Sequence, residues 1–558
     1  MKLNKNKITR NISKYLLAGT LFASLGAVTS CKKWLEEDPR SLYVAEKYFN
    51  TVGDAKKATL GVYEIMANLE TYGFYMSMVY DIDSDLGHME GTGFSNDNRT
   101  LAHYNFGPGH NYIVKSWEYL YNGIDRANLV ISKIPEMSLY QNGSESEKKE
   151  LKRNLAEAKF LRGLYYFDLV RLFGDVPLKT KYTEASDDLR IPRTDREIVY
   201  DQIIKDMKEA IDDIPQVSQK VNDERVSKGA VKGVLARVFL YRAGYSLRQN
   251  GQRERPANYK DYYAEVARLT KEVMESGEHA LNPDYERIFK NHCELKLEPK
   301  ESMFEVAMFF NAAGNKANTS YVGSWNGPLC DAGSPYGRAN SFYKVSPVFY
   351  KKFKIADSRR KVSIATFQIN AAGDTVNLKA GTNNDRKWAP GKWRRNWIGT
   401  TPKDVNNTDV NWTLLRYSDV LLMRAEAENE IHDGPTEDAR AAINLVRRRA
   451  FKESLDLNVA AVNTGVDIPA GLNYNDFLNK IKEERAMELC YEGFRKGDLI
   501  RWNILGQSLR TAENELKAYS AGFPYIAGTY FVDNKHELYP IPTRERELNI
   551  NLSQNPNY

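Results

Sequence analysis

Four cysteines in 558 residues, Cys31, Cys293, Cys330 and Cys490, are too few and too scattered for a disulfide framework, and no pair has CxxC or metal-ligand spacing. The seven histidines are equally dispersed. No HExxH, GxSxG or Walker sequence is present, which leaves zinc proteases, serine hydrolases and P-loop enzymes without support. Gly91-Thr92-Gly93 followed by Asn96 fails the dinucleotide pattern. Asp81, Asp83 and Asp85 alternate like the start of a calcium loop, but Leu86 stands where the loop needs glycine and Thr92 where it needs a bidentate acid. An acidic loop or helix-end patch is expected there instead, with no metal and no cofactor. A glycosidase pair cannot be picked out by spacing, because 73 acidic residues satisfy any spacing by chance. Charge of one sign is also scarce: the net charge is +6, and five of the cations (Lys2, Lys5, Lys7, Arg10 and Lys14) lie at the extreme N-terminus. Without them the balance falls to +1, so no nucleic-acid partner is expected.

The N-terminus carries the first positive signal. Its basic start precedes an apolar run from Tyr15 to Val28, too short to span a membrane but suited to a signal peptide. The run ends in Val28-Thr29-Ser30-Cys31, where small residues fit a signal peptidase groove and the thiol can accept a diacylglyceryl group. This resembles a lipobox. Residues 1–30 are therefore expected to be a lipoprotein signal peptide, with lipidation at Cys31. The acidic cluster Glu36-Glu37-Asp38 resembles the short signals that send lipoproteins to the outer face of the outer membrane.

Beyond the leader, apolar residues recur at helical spacing. Leu155, Ala158, Leu161, Tyr165, Leu169 and Leu172 form one stripe, and Ile203, Met207, Ala210 and Ile214 form another. A third helix runs through Val231, Val234, Val238 and Tyr241 with Ser227 as its N-cap, and a fourth uses Val266, Leu269 and Val273 before Gly277. Near the C-terminus, Val420, Met423, Ala427 and Ile431 precede a Gly434-Pro435 turn, and Ala439, Ala442, Val446 and Ala450 follow it. A last helix is expected over Tyr474–Tyr491, ending at Gly493. These pairs, rich in Ala and Tyr, resemble degenerate tetratricopeptide hairpins. The fold class is mainly α, with long irregular, loop-rich segments.

Those segments are residues 70–111, broken by Gly73, Gly87, Gly91, Gly93, Gly107 and Gly109, and roughly residues 280–412, rich in Gly, Asn, Pro and Trp. Irregular chain on a rigid scaffold commonly carries function. The chain has 34 Tyr, 22 Phe and 8 Trp. Flat rings can stack on sugars or peptides, while polar tips orient hydroxyls. Rings on helical stripes, such as Tyr165, Tyr166 and Tyr241, belong to the core. In the loops, Phe94 stands beside Asn96, Asn98 and Arg99, and Trp325 stands near Tyr321, Asn326 and Tyr336. Phe94, Asn98, Arg99, Tyr321, Trp325 and Tyr336 are the candidate ligand-binding residues. Trp388–Trp397, with Lys392, Arg394 and Arg395, reads as a solvated basic hairpin that could alternatively meet an acidic ligand or a partner.

Four motifs, in this order, resemble the SusD/RagB family. They are Ala156 to Leu178 (AEAKFLRGLYYFDLVRLFGDVPL); Leu415 to Ala427 (LRYSDVLLMRAEA) with Ile443 to Ala450; Glu484-Arg485 through Tyr491-Glu492-Gly493-Phe494-Arg495-Lys496-Gly497-Asp498 to Trp502; and Tyr539-Pro540-Ile541-Pro542 with Gln554-Asn555-Pro556-Asn557-Tyr558. Lys496-Gly497, where many relatives carry an aromatic pair, and Asn557, where glycine is commoner, depart mildly from that pattern. Arg485, Glu492, Arg495 and Asp498 are expected to be structural, since charges on apolar helices are tolerated when paired. The resemblance implies a SusD-like fold, with residues 31–280 and 281–558 packed as one body. It further implies a non-enzymatic cell-surface lipoprotein that captures oligosaccharides and hands them to a SusC-like, TonB-dependent outer-membrane transporter. A peptide receptor of the RagB type is the alternative, and a surface glycoside hydrolase a more distant one.

Overall fold

The computed structural model describes residues 48–310, 318–381, 383–398 and 404–558; Cys31 lies outside them. Among the described residues ten helices of thirteen or more residues occur: α1 (Val52–Glu64), α2 (Asn111–Glu136), α3 (Glu145–Phe173), α4 (Arg196–Ala210), α5 (Lys228–Ala243), α6 (Tyr259–Glu275), α7 (Tyr417–Ile431), α8 (Glu437–Ala450), α9 (Tyr474–Glu488) and α10 (Leu505–Tyr519). Their starts follow local chemistry. Ser144 and Glu147 close a capping box on α3, the Ser227 hydroxyl accepts from the Ala230 N–H on α5, and Thr436 and Asn473 do the same for α8 and α9. Gly277, in the left-handed region at φ +70°, follows α6 as expected.

Packing runs along the chain: α2 lies on α3, α3 on α4, α4 on α5, α5 on α6, α6 on α7, and α7 on α8 and α9, while α1 covers α3. This is a stack of helical hairpins, each burying its apolar face against the next. Helix α3 sits inside it and is buried over most of its circumference, so its charged residues had to be paired. Arg162 meets Asp206 in a two-pronged contact at 2.6 and 2.7 Å and donates to Asn128 at 2.8 Å. Arg171 donates to Asp168 at 2.8 Å. Helices α2 and α3 approach so closely at Gly123 that a Cβ there would lie 2.6 Å from the Tyr165 ring.

The helix α9 ends at Glu488, three residues short of the expected Tyr491, because Glu488 to Glu492 turn inward to serve buried cations. The supposed basic hairpin Trp388–Trp397 is buried rather than solvated. Trp393 is fully buried against Trp412, Lys392 Nζ donates to the Glu488 carbonyl at 2.9 Å and pairs with Glu492, and Arg395 donates to the Arg338 carbonyl. Its cations satisfy interior acceptors, so it is not an acidic-ligand surface. The expected family charges are structural: Arg485 bridges Asp419 and Asp498, Arg495 holds Asp85, and Arg416 and Lys392 hold Glu492.

Two short antiparallel pairs tie the irregular segments to this body. β1 (Gly87–Met89) pairs with β3 (Tyr343–Val345), Gly87 opposite Val345 and Met89 opposite Tyr343. β2 (Ser302–Val306) pairs with β4 (Trp412–Arg416), with a shifted register between Thr413 and Leu415. Residues Thr51–Tyr558 cluster as one compact unit.

Candidate ligand-binding site

The β1–β3 pairing brings together the two segments richest in irregular chain. Further bonds fasten them: Tyr321 N–H donates to the Gly73 carbonyl at 3.0 Å and Glu90 N–H to Phe342 O at 2.8 Å, while within the second segment Tyr343 N–H donates to Trp325 O at 3.0 Å. At Gly73 the approach is tight enough to require glycine, since a Cβ would lie 2.5 Å from the Thr319 carbonyl oxygen.

An aromatic cluster forms where the segments meet. The Tyr321 and Trp325 rings are stacked, with centroids 5.9 Å apart and an interplanar angle of 23°. Phe74 contacts both, at 4.6 Å from Tyr321 and 4.5 Å from Trp325, and Phe342 backs Trp325 at 4.5 Å. Tyr75, next in the chain, stacks on Tyr112 at 4.0 Å and 26°. Phe74 and Trp325 are buried foundations, whereas Tyr112, Tyr321 and Phe342 are partly exposed. Polar groups fix the rings: Trp325 Nε1 donates to Asn406 Oδ1 at 3.2 Å, Asn340 Nδ2 donates to the same oxygen at 2.7 Å, and the Tyr112 hydroxyl donates to Asn98 Oδ1.

The candidate residues divide accordingly. Tyr321 and Trp325 lie in the cluster, and Asn98 joins it through Tyr112. Arg99 turns away, its Nε donating to the Glu90 carbonyl at 2.8 Å. Phe94 packs edge-on against Tyr530, at 4.9 Å, and His103. Tyr336 packs on Cys330, Ala339 and Ile369. Asn326 is fully buried and accepts from the Gly323 N–H at 2.8 Å. Phe74, Tyr75, Tyr112 and Phe342 are further candidate residues that the sequence did not single out. Phe74 and Tyr75 directly follow Gly73 within a segment already marked as irregular; Tyr112 was hidden in the first turn of a helix.

Burial, followed by the nearby carboxylates of Asp404 and Glu70, raises the Tyr321 phenol above its ordinary range; burial and Asp97 do the same for Tyr112. Both hydroxyls therefore stay protonated at neutral pH and can donate and accept hydrogen bonds.

The three aspartates of the calcium-like run are structural. The Asp81 carboxylate accepts from Lys496 N–H at 2.7 Å, Asp83 holds His103 at 2.6 Å and Met89 N–H at 2.8 Å, and Asp85 pairs with Arg495. Among the described residues no group of three or more His, Cys, Asp or Glu side chains is arranged to hold a metal. A pocket of about 60 Å³ lined by Asp81, Tyr241, Lys496 and Tyr539 has room for roughly four to six waters.

The described residues thus form a stacked-hairpin helical body that carries an aromatic cluster on docked loops. The chain belongs to the SusD family: the family model described as SusD family matches residues 286–558, and one described as starch-binding associating with outer membrane matches residues 33–240. A SusD homolog of known crystal structure from Bacteroides thetaiotaomicron is 32% identical, with a TM-score of 0.84 over 92% of this chain and 98% of that one. SusD-like protein P2 of Formosa agariphila is 26% identical over 94% of this chain and 96% of its own length. A structure described as a laminarin binding SusD-like protein shares the fold, with a TM-score of 0.69 at 24% identity over 91% of this chain and all of that one.

Proposed function

We propose that this chain is a glycan-binding lipoprotein that captures oligosaccharides on the Tyr112–Tyr321–Phe342 face and passes them to a SusC-like, TonB-dependent transporter at the outer membrane. One observation carries the binding reading: partly exposed rings, supported from beneath by buried Phe74 and Trp325, sit where two loop segments are fastened together. Such a platform offers stacking faces at little ordering cost, because the rings are already held. Membership of the SusD family supports the transporter partnership, and the lipobox at Cys31 supports anchoring. Capture without cleavage is the expected chemistry.

The test is isothermal calorimetry of the leaderless protein against a panel of oligosaccharides and peptides, with Tyr321→Ala in parallel. Binding of a glycan that Tyr321→Ala weakens at least tenfold supports the reading. Binding of peptides alone would move the chain to the peptide-receptor class, and release of shorter sugars on incubation would make it an enzyme.

A further inference from the structure

Two histidines hold the short helix Asp97–Ala102, which carries Asn98 to the hydroxyl of Tyr112. His103, fully buried just beyond the helix, sets Nδ1 against Asp83 Oδ2 at 2.6 Å and Nε2 against the Gly91 carbonyl oxygen at 2.8 Å. A carboxylate and a carbonyl are both acceptors, so both ring nitrogens donate and the bonded form is the imidazolium. His110 is wired the other way. It caps the start of α2, where Nδ1 accepts from the Tyr112 N–H at 3.2 Å, while Nε2 donates to the Asp97 carbonyl at 3.0 Å beside the Thr100 hydroxyl at 3.1 Å. One nitrogen accepts and one donates, so the bonded form is the neutral ring.

We infer that this pair confines the docked helix, and with it the Tyr112 side of the ring cluster, to a window of pH in which His103 carries a second proton and His110 does not. The effect on binding rests on the glycan-binding reading of that face; the docking of the helix does not. Below the window, a proton on His110 Nδ1 removes the acceptor of the Tyr112 N–H. Above it, His103 has one proton for two acceptors; the Asp83 bond is the charge-assisted one, so the Gly91 carbonyl is released, and the loop keeps only the adjacent bond from Arg99 to the Glu90 carbonyl at this end.

The charged and titratable surroundings fit these states. Asp83, Arg99 and His88 face His103, and Lys496 with the phenols of Tyr104, Tyr343 and Tyr525 faces Asp83. Asp97 faces His110. Burial disfavours charge on both rings. Asp83 and the Gly91 carbonyl outweigh it at His103, which is raised above the ordinary imidazole range, whereas burial prevails over Asp97 at His110, which is lowered. His103 therefore contributes fully below the ordinary range and loses its contribution as the pH rises through its raised value; His110 costs stability as the pH falls below the ordinary range.

The experiment uses the leaderless protein with isotope-labelled histidine rings. NMR follows the titrations, and the variants His103→Gln and His110→Asn assign the two signals. His103 should titrate above about pH 6.5 and His110 below it. Amide exchange over residues 91–103, corrected for its intrinsic pH dependence, should be slowest between the two midpoints and about fivefold faster roughly one pH unit beyond either. His110→Asn keeps a capping oxygen that does not titrate, so it should restore slow exchange on the acid side alone. His103→Gln should remove the difference between neutral and alkaline pH. Calorimetric affinity for whichever of the glucan, mannan, xylan and galactan hexaoses binds should follow the same window. Midpoints on the opposite sides of that value, or exchange that ignores both midpoints and His110→Asn, overturns the paired histidines. A window in exchange with hexaose affinity flat across it overturns the coupling to the face. If no hexaose binds at any pH, the glycan reading falls, and the titrations and exchange still decide the window.

Discussion

Replacing Glu488 with glutamine should unfold this protein more readily than Tyr321→Ala at the proposed ligand face. Glu488 is fully buried and accepts three charge-assisted bonds: from Arg416 Nη1 at 2.8 Å, Arg449 Nη2 at 2.6 Å and Arg359 Nη1 at 3.2 Å. It is part of a network in which Arg359, Lys392, Arg416, Arg447 and Arg449 face Asp357, Glu301, Glu484, Glu488 and Glu492, equal numbers of each sign. Burial alone would push the Glu488 carboxyl up, but Arg449, Arg416 and Arg359 hold it far below the ordinary range. Glutamine keeps one oxygen for Arg416 and Arg449 and turns an N–H toward Arg359, which loses a charged bond worth about 1.5–3 kcal/mol. It also leaves one buried positive charge uncompensated, so the whole loss should be about 3–5 kcal/mol, the range for breaking a buried ion pair. Urea unfolding followed by circular dichroism and tryptophan fluorescence measures it, as a lower midpoint at unchanged slope. Glycan affinity of the folded fraction should stay unchanged. A loss below about 1 kcal/mol, or selective loss of ligand binding in a protein of parental stability, would refute the reasoning.

The remaining predictions concern the site, the loops, the pH response and the anchor. Trp325→Ala should cost about 3–5 kcal/mol of stability, because that ring is only 7% exposed, whereas Tyr321→Ala should weaken glycan binding at least tenfold with a stability loss under about 1.5 kcal/mol; thermal melts paired with calorimetry separate the two. Gly73→Ala, which forces a Cβ against the Thr319 and Asn68 carbonyls, should loosen the loop docking and show as faster amide exchange over residues 70–76 and 319–325. Stability should peak near pH 6, because His88, held neutral by burial down to about 4, and His292 and His536, held neutral down to about 3, cost stability as the pH falls below the ordinary imidazole range. Burial raises Asp81 to about 6 and Glu305 to about 7, so these groups add stability as the pH falls through those values, while Asp419, held down to about 2 by Arg485 and Arg237 against its burial, contributes above the unfolded carboxylate range and loses that contribution as the medium becomes strongly acidic. A melting temperature that climbs steadily from pH 5 to pH 8 contradicts that balance. Cys31→Ser should abolish metabolic incorporation of labelled palmitate and release the protein from the membrane fraction; labelling that persists in the variant rules out that thiol as the anchor.

Helices, their caps and the family motifs were legible in the residues because each is decided within a turn or two of chain. Ser227 caps α5 through the N–H three residues on, and the stripes of α3 and α5 repeat at the helical period, so local chemistry was enough. The same holds for the expectation that Arg485, Glu492, Arg495 and Asp498 are structural, since charge among apolar residues demands a partner wherever that partner lies.

Which rings form the proposed ligand face was decided only by the tertiary fold. Tyr321 reaches Phe74 across more than two hundred residues of sequence, through a glycine whose missing side chain admits the Thr319 backbone, and nothing local to either segment encodes that meeting. The fold likewise took Trp388–Trp397, which looks polar in sequence, into the core by supplying Glu492 and backbone carbonyls for its cations, and it turned Arg99 away from the rings toward Glu90. Exposure and charge pairing depend on atoms brought close by folding, so they could be known only once both partners were in place.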